Sequence, residues 1–237
     1  MNTPLNVTTH SFTDCHAQAQ ALGERVSERL RNALSERGQA VLAVSGGSTP
    51  KDLFEQLSRE KLDWSKVQVT LVDERWVPDS DERSNARLVK SHLLQHAAAS
   101  ATFVPLYTGD ATPEAGLAKA DARINALPLP FDVVVLGMGE DGHTASFFPD
   151  GDHLAEALDM QGSARVLPMH APDAGEPRIT LTLATLLETR ALYLLVSGEK
   201  KRDVLADARL GLGAARDYPV RAVLTQQRVP VAVYWCP

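Results

Sequence analysis

QAVLAVSGGSTPKDLFEQLSRE, residues 39–60, is the stretch whose reading sets the fold. Gln39 to Val44 is a short apolar run of the kind that fills a strand buried on both faces, and Lys51 to Glu60 follows as a helix. Between them, Ser45-Gly46-Gly47-Ser48-Thr49-Pro50 brings backbone N–H groups and hydroxyls to a helix N-terminus, an arrangement suited to holding an anion. A plainer reading is compatible with it: a tight turn in which Ser48 or Thr49 caps the helix and Pro50 takes its first position. The GxxxxGK[ST] spacing of a P-loop is absent.

Upstream, Thr13 to Arg37 places Leu22, Val26, Leu30 and Leu34 on one helical face, and Gly38 ends the helix. Downstream, Val67 to Val72, Phe131 to Leu136 and Ala191 to Val196 repeat the apolar strand pattern, separated by helix-compatible segments. This βαβ rhythm predicts an α/β fold, a Rossmann-like and mostly parallel sheet with helices on both faces. Each polar or glycine-rich cluster follows a strand: SGGSTP, then DERWVPDSDERSN, then GMGEDGHTASFFP, then SGEKKR. In an open α/β sheet those strand ends are where ligands bind. Pro168 to Pro177, with three prolines, reads as an exposed loop, and Asp150 to Pro177 as a lid.

Composition narrows the partners. The chain has 237 residues, 44% of them hydrophobic, enough for one sizeable core, and residues 1–237 are read as one domain. A formal charge of -6 gives no field to gather nucleic acid. No apolar run approaches the roughly 20 residues of a membrane span, and MNTPLNVTTHSFTD lacks the regions of a signal peptide, so a cytoplasmic protein is expected. The two cysteines, Cys15 and Cys236, lie near opposite ends without CxxC spacing and are expected to be free structural thiols. The seven histidines show no zinc spacing, and there is no GxSxG elbow.

Gly137-Met138-Gly139-Glu140-Asp141-Gly142 matches GxGxxG, but Pro149-Asp150-Gly151 would end any helix within about two turns, which argues against a dinucleotide site. His143 beside Asp141 is the stronger feature. A carboxylate fixes an imidazole's tautomer and raises its basicity, and imidazoles with a typical pKa of about 6.5 suit proton transfer at neutral pH. Asp73-Glu74-Arg75-Trp76 closes the second strand, with Arg75 able to fork onto an anion, Arg83 and Arg87 read as a solvated helix face, and Trp76 as packing. Arg178 and the cluster 200–202 supply further cations, the latter at a helix start where positive charge opposes the dipole and invites a ligand.

AVSGGSTPKDLFEQL, LVDERWVPDSDERSN, VVVLGMGEDGHTASFFP, RITLT and SGEKKRDVL, in this order, resemble the motif set of the glucosamine-6-phosphate isomerase and 6-phosphogluconolactonase superfamily, over about residues 10–235. The deaminase branch resembles DGHIAFNEP and DEYVG at these points, whereas this chain has Thr144-Ala145-Ser146-Phe147-Phe148-Pro149 and Arg75-Trp76, which favours the lactonase branch. The resemblance implies hydrolysis of 6-phospho-D-glucono-1,5-lactone to 6-phospho-D-gluconate in the oxidative pentose phosphate pathway, with no metal or organic cofactor. It implies His143 as base, Asp141 as its neighbouring acid and Arg75 near the reacting end. Ser45, Gly46, Gly47, Ser48, Thr49, Asp73, Arg178 and Lys201, or its neighbour Lys200, would bind the phosphate and sugar. A monomer is expected. The alternatives are an isomerase or deaminase on the same fold, using Asp73 as base at C2, and a non-catalytic sugar-phosphate sensor, which would need a DNA-binding module.

Overall fold

A computed structural model describes residues 6–237. Its strands are β1 (Val7–Ser11), β2 (Ala40–Val44), β3 (Val67–Leu71), β4 (Asp73–Arg75), β5 (Thr102–Val104), β6 (Val133–Leu136), β7 (Val166–Met169), β8 (Arg178–Leu181), β9 (Leu192–Ser197) and β10 (Val231–Cys236). The α-helices are α1 (Cys15–Arg37), α2 (Lys51–Ser58), α3 (Asn85–His92), α4 (Pro113–Asn125), α5 (Leu154–Leu158), α6 (Leu183–Leu186), α7 (Glu199–Leu210) and α8 (Val220–Thr225).

Seven strands form one parallel sheet in the order β1-β10-β9-β6-β2-β3-β5. The four predicted apolar runs are four of its five interior strands, β2, β3, β6 and β9, with every residue of β2 and β6 buried. From β2 the chain winds one way to β3 and β5, and from β6 the other way to β9 and β10. The order therefore reverses between β2 and β6, and a crevice opens at their carboxyl ends.

Helix α1 forms for the reasons its sequence gives. The Asp14 carboxylate accepts the Ala17 N–H, and Gly38 closes the last turn in the left-handed region at φ 72°. Leu22, Val26 and Leu30 are fully buried, each contributing about 1.5–3 kcal/mol, while Leu34 at the end of the stripe is only half-buried.

One feature lies outside the sequence reading and two depart from it. The run RITLT, not assigned to any element above, forms β8, which pairs antiparallel with β4 and β7 in a separate three-stranded sheet. That sheet branches from β3, since Val72 donates to Val44 O and Leu181 to Val72 O. Residues 150–177 are not an open lid: Pro168 and Met169 sit in the buried strand β7, and Ala174 is buried as well. Nor are the cysteines free. Cys15 and Cys236 are disulfide-bonded across 221 residues, with Cα atoms 5.2 Å apart. The topology is the cause: β10 threads between β1 and β9, so the last strand ends beside the start of α1.

Candidate active site

The loops after β2 and β6 face each other across the crevice. A Cβ on Gly137 would stand 3.4 Å from Ser45 Oγ. In the first loop two glycines are required: a Cβ on Gly46 would fall 1.8 Å from Asn85 Oδ1, and Gly47 has φ +90°. The capping expectation fails here. Pro50 is itself the N-cap of α2 and no side chain caps the helix; Thr49 Oγ1 instead lies 3.1 Å from Ser197 Oγ at the end of β9. The loop hydroxyls are thus available to the crevice and to the neighbouring strand.

The second loop leads into no helix before Leu154, which removes the dinucleotide reading. It folds back on itself through Gly139 N–H to His143 O at 2.9 Å, Gly142 N–H to Gly139 O at 3.2 Å and Thr144 Oγ1 to Gly137 O at 2.7 Å. This closure presents His143. Its Nδ1 lies 2.6 Å from Asp141 Oδ1, and its backbone N–H donates to the same oxygen at 3.1 Å. A proton on Nδ1, shared with the carboxylate, leaves Nε2 as the acceptor. Burial works to raise the Asp141 pKa, but the His143 hydrogen bonds and charge prevail and hold it below the usual carboxylate value. The other face of the imidazole stacks on Phe148, ring centroids 4.3 Å apart.

The third wall comes from the small sheet. Asp73 and Arg75 alternate with Glu74 along β4, so the first two face the crevice and Glu74 faces away. Asp73 Oδ2 accepts from Ser146 Oγ at 2.6 Å and stands 3.8 Å from Arg178 Nη1, while Asn85 Nδ2 donates to the Asp73 carbonyl at 2.9 Å. Arg178 lies over Phe148 at 5.2 Å, and burial pushes its pKa down from the ordinary guanidinium value. The Nε atoms of Arg75 and Arg178 are both buried without a hydrogen-bond partner.

Glu74 was not singled out by the sequence, yet it builds this wall. Fully buried, it accepts the backbone N–H groups of Arg75, Asn85 and Ala86, each at 2.8 Å, and the Ser84 hydroxyl at 3.1 Å. Burial pushes its pKa up to about 7 against those bonds. It thereby pins the first turn of α3 so that Asn85 meets Gly46. Asn85, Ser146 and Phe148 were likewise visible only as members of longer motifs.

These elements enclose a cavity of about 250 Å³. Ser45 through Thr49, Asp73, Arg75, His143, Arg178 and Lys201 all line it; Asp141 stands behind His143. Lys200 does not line it: its side chain is 83% exposed and lies 3.8 Å from Glu140. Arg83 pairs with Asp81 and Glu176, Arg87 bonds Ser80 O, and Trp76 packs edge-on against Tyr107, as the sequence reading expects of residues outside the site. A larger groove of about 660 Å³ beside α1 has none of the strand-end loops in its lining.

A family model described as glucosamine-6-phosphate isomerases/6-phosphogluconolactonase matches residues 13–235. The chain belongs to this family. Within it, a protein of Rhizobium meliloti named 6-phosphogluconolactonase is 50% identical over 98% of this chain and 100% of its own. One of Mesorhizobium japonicum with the same name is 52% identical over 96% of this chain and 94% of its own. The crystal structure of a 6-phosphogluconolactonase from Shewanella baltica is 42% identical and superposes with a TM-score of 0.91, covering 98% of each chain.

Proposed function

We propose that this protein hydrolyses the ring ester of 6-phospho-D-glucono-1,5-lactone to 6-phospho-D-gluconate, a step of the oxidative pentose phosphate pathway, with His143 as general base. The observation that carries the reading is one cavity holding both an Asp141-fixed imidazole and a glycine loop with Lys201 beside it. The names of its relatives agree with hydrolysis of this lactone.

The substrate's phosphate anchors on residues 45–49 and Lys201, and that remote binding energy places C1 near His143. A lactone is already an activated acyl group, so an aimed water is enough and no covalent intermediate is required. His143 Nε2 takes a proton from water as the oxygen attacks C1. Arg75 stabilises the resulting oxyanion; the amides of Gly139 and Gly142 are already bonded within their loop. His143 then returns the proton to the departing ring oxygen, and the C1–O bond breaks. Asp73 takes no proton at C2 in this scheme, because Ser146, Arg178 and Asn85 already hold it in the wall. The protein acts as a single-domain monomer in the cytoplasm and requires no metal. No helix among the described residues is long and apolar enough to cross a membrane.

A pH-stat assay on freshly generated lactone tests this. Wild type should hydrolyse it rapidly with or without chelator, and His143→Ala should lower kcat by roughly 10²- to 10⁴-fold. Near-normal turnover in the variant removes His143 from the mechanism. No acceleration by wild type, with ammonia released from glucosamine 6-phosphate, would move the assignment to the deaminase branch.

A further inference from the structure

We propose that Cys15 and Cys236 are a reversible thiol–disulfide modification site that fastens the two ends of the described chain and braces the turn carrying Lys201. The two sulfurs differ in setting. Cys236, on the last residue of β10, is fully buried, whereas Cys15 is half-buried at the first position of the 23-residue helix α1. Only the Cys15 sulfur is open to a soluble disulfide, which makes Cys15 the attacking thiol and Cys236 the resolving thiol.

The same backbone accommodates both oxidation states. Cys236 Sγ lies 3.4 Å from Gln18 Oε1, and Cys15 Sγ lies 3.7 Å from the Pro237 carbonyl. Each reduced thiol therefore has an acceptor in place. Gln18 is itself fixed, its Nε2 donating to Val196 O at 2.7 Å and Tyr234 O at 2.8 Å. Opening the bridge leaves no buried polar group unsatisfied, so reduction need not unfold the strand.

The bridge reaches the cavity through short bonds. The Cys236 carbonyl accepts the Gly198 N–H at 2.9 Å, and Trp235 Nε1 donates to Gly198 O at 3.1 Å. Gly198 is the N-cap of α7, whose first turn holds Lys201. Ser197, paired with Cys236 in the sheet, reaches Thr49 of the glycine loop through its hydroxyl. Tethering Cys236 to α1 therefore restrains both cation and loop.

The exchange balances with a small-molecule disulfide as oxidant. The Cys15 thiolate attacks one sulfur of RSSR and expels RS⁻. Cys236, losing its proton, attacks the Cys15 sulfur of the mixed disulfide and expels the second RS⁻. Two protein thiols thus give two electrons to RSSR, which leaves as two RSH, and a dithiol or excess RSH drives the reverse. Reversibility reconciles a bridge with a reducing compartment.

The test uses the full chain in glutathione buffers of varied thiol-to-disulfide ratio, and none of its readouts needs the substrate. Acid quenching, unfolding and alkylation followed by mass measurement should show two blocked thiols at the reducing end and none at the oxidising end, recovered in both directions. The oxidised form should melt roughly 5–15 °C higher. Amide hydrogen exchange at Gly198 should slow by about threefold or more on oxidation, with α4 unchanged. Cys15→Ser should match reduced wild type in every buffer. Thiols that stay alkylatable under oxidising conditions overturn the site. A bridge that forms without slowing exchange at Gly198, or a Cys15→Ser variant whose Tm and Gly198 exchange still follow the buffer as wild type does, overturns the bracing.

Discussion

Two glycine-rich loops meet at the point where the sheet order reverses, and they use glycine for opposite ends. In residues 45–50, Gly46 lets a side chain from outside approach, the Asn85 amide, and the backbone runs on into α2. In residues 137–149, Gly139 lets the loop's own side chains close over it. A Cβ there would fall 2.3 Å from His143 Nδ1 and 2.4 Å from Asp141 Oδ1. The first loop stays open and is suited to an anion; the second is closed by its own hydrogen bonds and holds a base. A glycine motif reports close approach, and only the identity of what approaches separates binding from chemistry.

Substitutions that fill each gap should therefore separate kcat from KM. Gly139→Ala, by pushing the imidazole off the carboxylate, should lower kcat by about 10²-fold with little change in KM; Asp141→Asn should do the same by freeing the wrong tautomer. Gly46→Ala meets Asn85 and should raise KM by about tenfold while kcat stays within about threefold. Steady-state kinetics on the three variants decides it. A Gly46→Ala defect confined to kcat would erase the distinction between the loops.

How much of this contrast was legible follows from where the information sits. Both loops could be placed because β2 and β6 are unbroken apolar runs and the glycines follow immediately. The Asp141–His143 pair could be read because its members are two residues apart. Glu74 and Asn85 could not, since what matters is that a carboxylate on β4 accepts amides from α3, a contact between residues 11 positions apart with no periodic pattern between them. The antiparallel sheet was hidden for a similar reason: β4 has three residues, too few for a strand pattern, and its partner β8 comes more than a hundred residues later. The disulfide is the extreme case, because spacing along the chain carries no signal when topology alone brings the ends together.

Lysine choice sharpens the comparison at smaller amplitude. Lys201 lines the cavity beside the open loop and Lys200 faces Glu140 in solvent. Lys201→Ala should raise KM by about tenfold, and Lys200→Ala should change it less than twofold, since exposed pairs contribute little. Equal effects would mean that the turn supplies diffuse charge in place of one directed contact.

The smallest effect expected is on stability, and it belongs to the closed loop. Asp141 has a pKa held below its usual value of 3.8 in the folded protein. The unfolded chain thus binds the proton more readily, and the folded state gains stability that is present above about pH 4 and lost as pH falls through the folded value. Both partners of the pair are about one-third exposed, at 31% for His143 and 35% for Asp141, so solvent screens most of the interaction. Asp141→Asn should therefore cost only about 0.5 kcal/mol at pH 6, and the cost should shrink as the pH is lowered below 4. Urea unfolding of wild type and variant at pH 6 and at pH values stepped down from 4 reads this difference directly. A gap that does not shrink at all between pH 6 and the lower pH would assign the loss to packing and not to charge, and the pairing of Asp141 with His143 would then serve the imidazole's orientation alone.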